Sequence, residues 1–186
     1  MSARPIPPRP GATGVSARME QILRVDHAGE VAAVNIYRGH RAVFEAAGKT
    51  DAARRMGEFE THEAAHLARF ETLLTERRVR PTLMAPIWRA AAFGLGVGAA
   101  LVGETAAHAC TEAVETVIED HYARQIAELE GRDDALAGEL AAFRADELAH
   151  REEAINQGAR QAPLHGLLTF VVRAGCRAAI KISERI

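Results

Sequence analysis

Two Glu-x-x-His pairs, Glu63/His66 and Glu147/His150, constrain this chain more than any other feature. Residues three apart share one face of an α-helix. At helical spacing the second pair falls in line with Leu140, Phe143 and Ala154, and the first with Met56, Phe59, Phe70 and Leu73. Both pairs therefore interrupt apolar stripes, where a carboxylate or imidazole costs free energy unless a partner satisfies it. Two further glutamates sit in such stripes: Glu30 among Leu23, Val34, Tyr37 and Phe44, and Glu115 among Ile118, Tyr122 and Leu129. The pattern predicts packed helices whose shared core is polar at one level and holds metal.

The spacing repeats. Glu30 precedes Glu63 by 33 residues and Glu115 precedes Glu147 by 32, so the halves are offset by 85 and 84 positions. Glu-x-x-His alone is weak, since chance places a Glu three before a His about once in a chain of this composition. The ordered recurrence of Glu, then Glu-x-x-His, is the stronger signal, and it reads as an internal repeat of two helix pairs.

Composition agrees. The chain has 186 residues, enough for one sizeable core, and is 48% hydrophobic but only 5% aromatic. Abundant alanine favours close-packed helices over a β-sandwich. A formal net charge of −2 gives no bias towards nucleic acid. Cys110 and Cys176 form no CxxC pair, so no disulfide framework and a reducing compartment are expected.

Residues 1–15 carry Pro5, Pro7, Pro8 and Pro10, and lack the apolar run of a secretory signal. They read as a disordered lead-in, and residues 16–186 as a single domain. A first helix is expected from about Ser16 to Ala47, stopped by Gly48, with mid-helix Gly29 marking a close approach. A second runs from about Asp51 to Arg78, capped by Asp51 or Thr50. Residues 83–103 are almost wholly apolar, with Arg89 as the only charge. The uninterrupted part, Ala90 to Gly103, is shorter than the roughly 20 residues of a membrane span, so an interfacial, re-entrant or buried helix is expected. Further helices follow from about Glu104 to Glu130 and from about Asp133 to Gly158. The last runs from about Leu164 to Ile186 and carries Arg173, Arg177, Lys181 and Arg185 as a basic stripe beside apolar residues, the pattern of a membrane-surface helix.

A pair of iron or manganese ions takes hard oxygen ligands plus imidazoles. A ferritin-like four-helix bundle supplies them as one Glu from each of two helices and one Glu-x-x-His from each of the other two. By that rule Glu30 and Glu115 are terminal ligands, Glu63 and Glu147 bridge, and His66 and His150 each cap one metal. Four carboxylates neutralise two divalent ions. Asp26 and Asp146 are either acceptors behind a metal-bound histidine or solvated flanks. Tyr122 either approaches the metals or is a core aromatic, and His121 either relays protons or lies on the surface. Glu60, His62, His40, His108 and His165 read as surface or packing residues, and Glu104 and Glu112 are at poor phase for the site. These residues alone leave open a ferroxidase or iron-storage bundle, a di-manganese peroxide-handling protein, or a non-enzymatic membrane-associated scaffold.

Arg24-Val25-Asp26-His27-Ala28-Gly29-Glu30, Glu63-Ala64-Ala65-His66-Leu67, Val79-Arg80-Pro81-Thr82, Ala109-Cys110-Thr111-Glu112-Ala113-Val114-Glu115, His121-Tyr122, Glu147-Leu148-Ala149-His150 and Ala174-Gly175-Cys176-Arg177 occur in order. Together they resemble the demethoxyubiquinone hydroxylases of ubiquinone biosynthesis, over nearly everything from residue 18 onwards. The resemblance implies a di-iron monooxygenase that hydroxylates demethoxyubiquinol, a polyprenylated methoxybenzoquinol, with O2. It implies the same six metal ligands and NADH as an electron source acting through the bound quinone; His121 and Tyr122, inside one of the matching motifs, are the candidate catalytic residues. The implied partners are the quinol, a membrane surface and an accessory lipid-binding protein. The implied location is peripheral, on the cytoplasmic face of a bacterial membrane or the matrix face of the inner mitochondrial membrane.

Overall fold

The computed structural model describes residues 16–186. The lead-in expected over residues 1–15 lies outside them. The described chain forms six α-helices: α1 (Ala17–Ala46), α2 (Thr50–Glu76), α3 (Ala85–Val102), α4 (Glu104–Leu129), α5 (Asp134–Asn156) and α6 (His165–Ser183). A short 3-10 turn, Ala159–Gln161, precedes α6. This is the expected all-helical architecture, with bounds within two or three residues of those read from the sequence.

Local chemistry sets the helix ends. The Ser16 side chain caps α1 by accepting the Met19 amide, and Asp133 caps α5 by accepting that of Leu136. Gly48 takes φ +69° and Gly131 φ +71°, so each hairpin turns through a left-handed glycine. The expected cap on α2 is corrected. Thr50 and Asp51 lie inside the helix, and the N-cap is Lys49, with no side-chain cap bond. The Gly48 turn brings the Lys49 amide to the Phe44 carbonyl at 2.9 Å, so α2 starts directly from the turn.

The pairs α1/α2 and α4/α5 make the bundle. One apolar layer holds Leu23, Phe70, Tyr122, Leu136 and Leu140, and another holds Tyr37, Phe44, Met56 and Phe59. Along α1, Glu30 lies between Leu23 and Tyr37; along α2, Glu63 lies between Met56 and Phe70. The polar level is thus enclosed by apolar layers on both sides.

Helices α3 and α6 pack on the outer face of α1 and α4 around Ile36, Ala92, Val114 and Val172. The Trp88 indole donates to Ser183 at 2.9 Å, pinning the start of α3 to the end of α6. Only Ala92, Gly96, Ala99 and Ala100 of α3 are buried. Leu101 and Val102 of α3 and Leu167, Phe170 and Val171 of α6 remain exposed. By length and composition α3 could cross a membrane, but its mixed exposure beside α6 fits the interfacial helix expected.

The close approach expected at Gly29 occurs elsewhere. A methyl on Gly29 would meet nothing within 4 Å. One on Gly39 would collide with the backbone of Phe93 and Val97, and one on Gly96 with the Ile36 carbonyl. Those two glycines let α1 and α3 touch backbone to backbone. Gly96→Ala is therefore expected to cost about 2–3 kcal/mol through overpacking, read as a lower urea midpoint. Gly29→Ala should change stability by less than about 1 kcal/mol.

Candidate metal centre

The four bundle helices bring together all six expected ligands. Glu30, Glu63, His66 and Glu147 present ligand atoms within 4.8 Å of one another, as do Glu63, Glu115, Glu147 and His150. Glu63 and Glu147 belong to both groups. His66 Nδ1 lies 3.8 Å from Glu30 and 3.4 Å from Glu147, and His150 Nδ1 lies 3.0 Å from Glu63. All six residues are buried.

The donors fit cations. Both oxygens of Glu63 and of Glu147, Oε2 of Glu30 and of Glu115, and Nδ1 of both histidines are buried without a hydrogen-bond partner among the described residues. So many orphaned acceptors facing one another are costly unless positive charge sits between them. Burial, and then the nearby Glu147, raise Glu30 to about 8 and push Glu63 and Glu115 well above the carboxylate range. Burial would also raise Glu147, but the adjacent His150 and His66 imidazoles outweigh it and hold Glu147 at about 2. The cluster needs two or more positive charges to carry all four carboxylates ionised.

Surrounding side chains fix the cluster residues. The Tyr122 hydroxyl donates to Glu30 and the Tyr37 hydroxyl to Glu115. Asp146 Oδ2 lies 3.1 Å from His66 Nε2, the supporting position allowed for it from sequence. Asp26 is buried but backs neither ligand histidine; it accepts from Gln125 at 2.8 Å and lies 3.3 Å from His121 Nε2. His121 itself touches Gln125 and Asp26 rather than the cluster, one residue away from Tyr122.

Two residues make contacts that the sequence reading did not assign them. His62 is exposed, in keeping with the surface reading, and its Nδ1 also lies 3.1 Å from His150 Nε2. Tyr37, a core aromatic in the sequence reading, also holds Glu115, one of the expected ligands. Its signal was available: Tyr37 precedes Tyr122 by the same 85 residues that separate Glu30 from Glu115. Glu112 stays outside the site, paired with His165 at 2.8 Å, and Glu104 pairs with Arg55 at 2.6 Å. His40 and His108 are wholly buried packing residues, and burial lowers them to about 3 and about 4, so both are neutral.

An apolar cavity of about 340 Å³ lies between α1, α3, α4 and α6. Ala32, Trp88, Leu95 and Cys176 line it, as do Gly29 and Val114, which immediately precede Glu30 and Glu115.

The model of the family described as ubiquinone biosynthesis protein COQ7 matches residues 17–183. A 3-demethoxyubiquinol 3-hydroxylase of Rhodospirillum rubrum is 42% identical over 178 residues, covering 95% of this chain and 82% of the relative. The mitochondrial NADPH-dependent 3-demethoxyubiquinone 3-hydroxylase of Homo sapiens is 40% identical, covering 91% of this chain and 79% of the relative. The mitochondrial 5-demethoxyubiquinone hydroxylase of Saccharomyces cerevisiae is 36% identical, covering 92% and 79%. With a buried Glu/His cluster assembled from both halves of its repeat and a match across nearly all its described residues, the chain belongs to the COQ7 family of ubiquinone biosynthesis proteins.

Proposed function

We propose that this chain is the hydroxylase that adds an oxygen atom from O2 to the ring of demethoxyubiquinol, using two iron ions held by Glu30, Glu63, His66, Glu115, Glu147 and His150. The observation that carries the reading is the convergence of those six buried side chains beside an apolar cavity. Bound iron supplies the O2 activation that amino-acid side chains lack.

The protein's part is binding, orientation and proton handling. Tyr37 and Tyr122 hold the two terminal carboxylates by hydrogen bonds. Burial raises both phenols well above their usual range, so they remain donors at neutral pH. We assign proton delivery to Tyr122 together with His121, which is linked to buried Asp26 and Gln125. Each turnover consumes O2, two electrons and two protons, and releases the hydroxylated quinol and water. The electrons come from a reduced nicotinamide nucleotide. The names of mitochondrial relatives favour NADPH over the NADH expected from sequence.

The cavity walls suit a benzoquinol ring and the start of an isoprenoid tail. The exposed apolar faces of α3 and α6 would rest on the bilayer with the basic stripe towards anionic headgroups, placing the protein peripherally on the membrane. A storage bundle or a peroxide-handling protein has no need of such a face. Changing Arg177 and Lys181, both exposed, to Glu is expected to reduce binding to anionic liposomes at least tenfold in co-sedimentation; unchanged binding would remove the stripe from this role. The deciding experiment is quinone profiling of a strain lacking this gene. Accumulation of demethoxyubiquinone, reversed by the wild-type gene, supports the reading, and an unaltered ubiquinone content overturns it.

A further inference from the structure

The internal repeat reaches beyond the six ligands. At the offset of 84 residues that relates Glu63 to Glu147 and His66 to His150, Phe59 matches Phe143 and His62 matches Asp146. Each of these residues supports the histidine of the opposite helix pair. Phe59 of α2 meets His150 of α5, with ring centroids 4.9 Å apart, and Phe143 of α5 meets His66 of α2 at 4.3 Å. Asp146 of α5 lies 3.1 Å from His66 Nε2, and His62 of α2 lies 3.1 Å from His150 Nε2. The crossed support is symmetric in position. Its chemistry differs at one place only: a carboxylate stands behind one histidine and an imidazole behind the other.

Both ligand histidines turn Nδ1 towards the carboxylates, His66 at 3.4 Å from Glu147 and His150 at 3.0 Å from Glu63. The nitrogen facing the metal must carry a lone pair, so Nε2 carries the hydrogen and donates it outwards. His66 donates to a carboxylate in a charge-assisted bond, which makes the ring a stronger electron donor. His150 donates to Nδ1 of the His62 imidazole. The His62 and His150 rings lie within 16° of parallel with centroids 5.4 Å apart, the spacing of an edge-to-edge N–H···N bond.

We propose that this single difference makes the two metal positions unequal. The position of Glu30 and His66, backed by Asp146, holds its divalent ion tightly. The position of Glu115 and His150, backed by His62, loads last and empties first. His62 and Asp146 are thus positioning residues that act through the ligand histidines. The inference rests on the di-iron reading above.

The test uses the reduced holoenzyme, loaded with two ferrous ions per chain and challenged with an excess of a chromogenic ferrous chelator. Wild-type protein is expected to release iron in two phases, one ion per chain in each, with rates differing about tenfold or more. His62→Asp should slow the fast phase until the two merge, and Asp146→Asn should speed the slow phase about tenfold while leaving the fast phase alone. Both residues are exposed, so neither change disturbs the core. A single phase in the wild type overturns the proposal, as does a fast phase that His62→Asp leaves unchanged. A wild-type chain that binds fewer than two ions at saturation overturns the di-iron reading itself, an outcome told apart by the metal count.

Discussion

Glu147→Ala is expected to cut iron content from two ions per chain to below one and to lower hydroxylation by on the order of a thousandfold or more, equivalent to ~4 kcal/mol of transition-state stabilisation. Glu147 belongs to both ligand groups, so its loss weakens both metal positions at once. The fold should survive. In the metal-free chain the Glu147 charge raises Glu30, Glu63 and Glu115, after burial itself. Removing it relieves that repulsion but also takes away the carboxylate that His66 and His150 share, so the metal-free variant should melt close to the metal-free wild type. Glu112→Ala is the control. Glu112 is also buried on α4, but its partners are His165 and Arg160, so both ions should be retained. Metal analysis and thermal melting of the two variants check all of this.

Removing the metal should make stability strongly pH-dependent. Glu30 moves from an ordinary 4.5 to about 8 because burial, then Glu147, disfavours its charge. A carboxyl raised in the folded state contributes stability that is full below 4.5 and is lost as pH rises to about 8. His66 is lowered by burial but raised more by Glu147, Glu30 and Asp146, to a net value of about 9. Its contribution is full below 6.5 and is lost towards 9. Glu147, held at about 2, adds no slope above 4.5. The metal-free chain should therefore lose roughly 3 kcal/mol between pH 5 and pH 8, allowing for water entering the opened site. Bound cations replace those protons, so the iron-loaded chain should stay nearly flat. Urea titrations with and without chelator, at pH 5 and pH 8, measure the difference. Equal slopes would mean that the six donors do not share one charge-balanced site.

The sequence by itself determined the helices and the buried Glu/His cluster. A Glu and a His three apart in an apolar stripe must lie on the buried face, because helical geometry fixes the phase of every residue relative to its neighbours. The near-equal offsets of the two halves then paired Glu30 with Glu115 and His66 with His150 without any knowledge of packing. The tertiary structure decided what phase cannot reach. It set the close approach at Gly39 and Gly96 rather than at Gly29, because a glycine is required where two axes cross, and the crossing point depends on the partner helix. It made Tyr37 a ligand support as well as Tyr122, because each hydroxyl reaches the carboxylate of the opposite helix pair. It set the exposed His62 against His150 and His121 beside Asp26. Helical periodicity says which way a side chain points. Which residue it meets depends on the offset and angle between separate helices, and those are fixed only when the whole core packs.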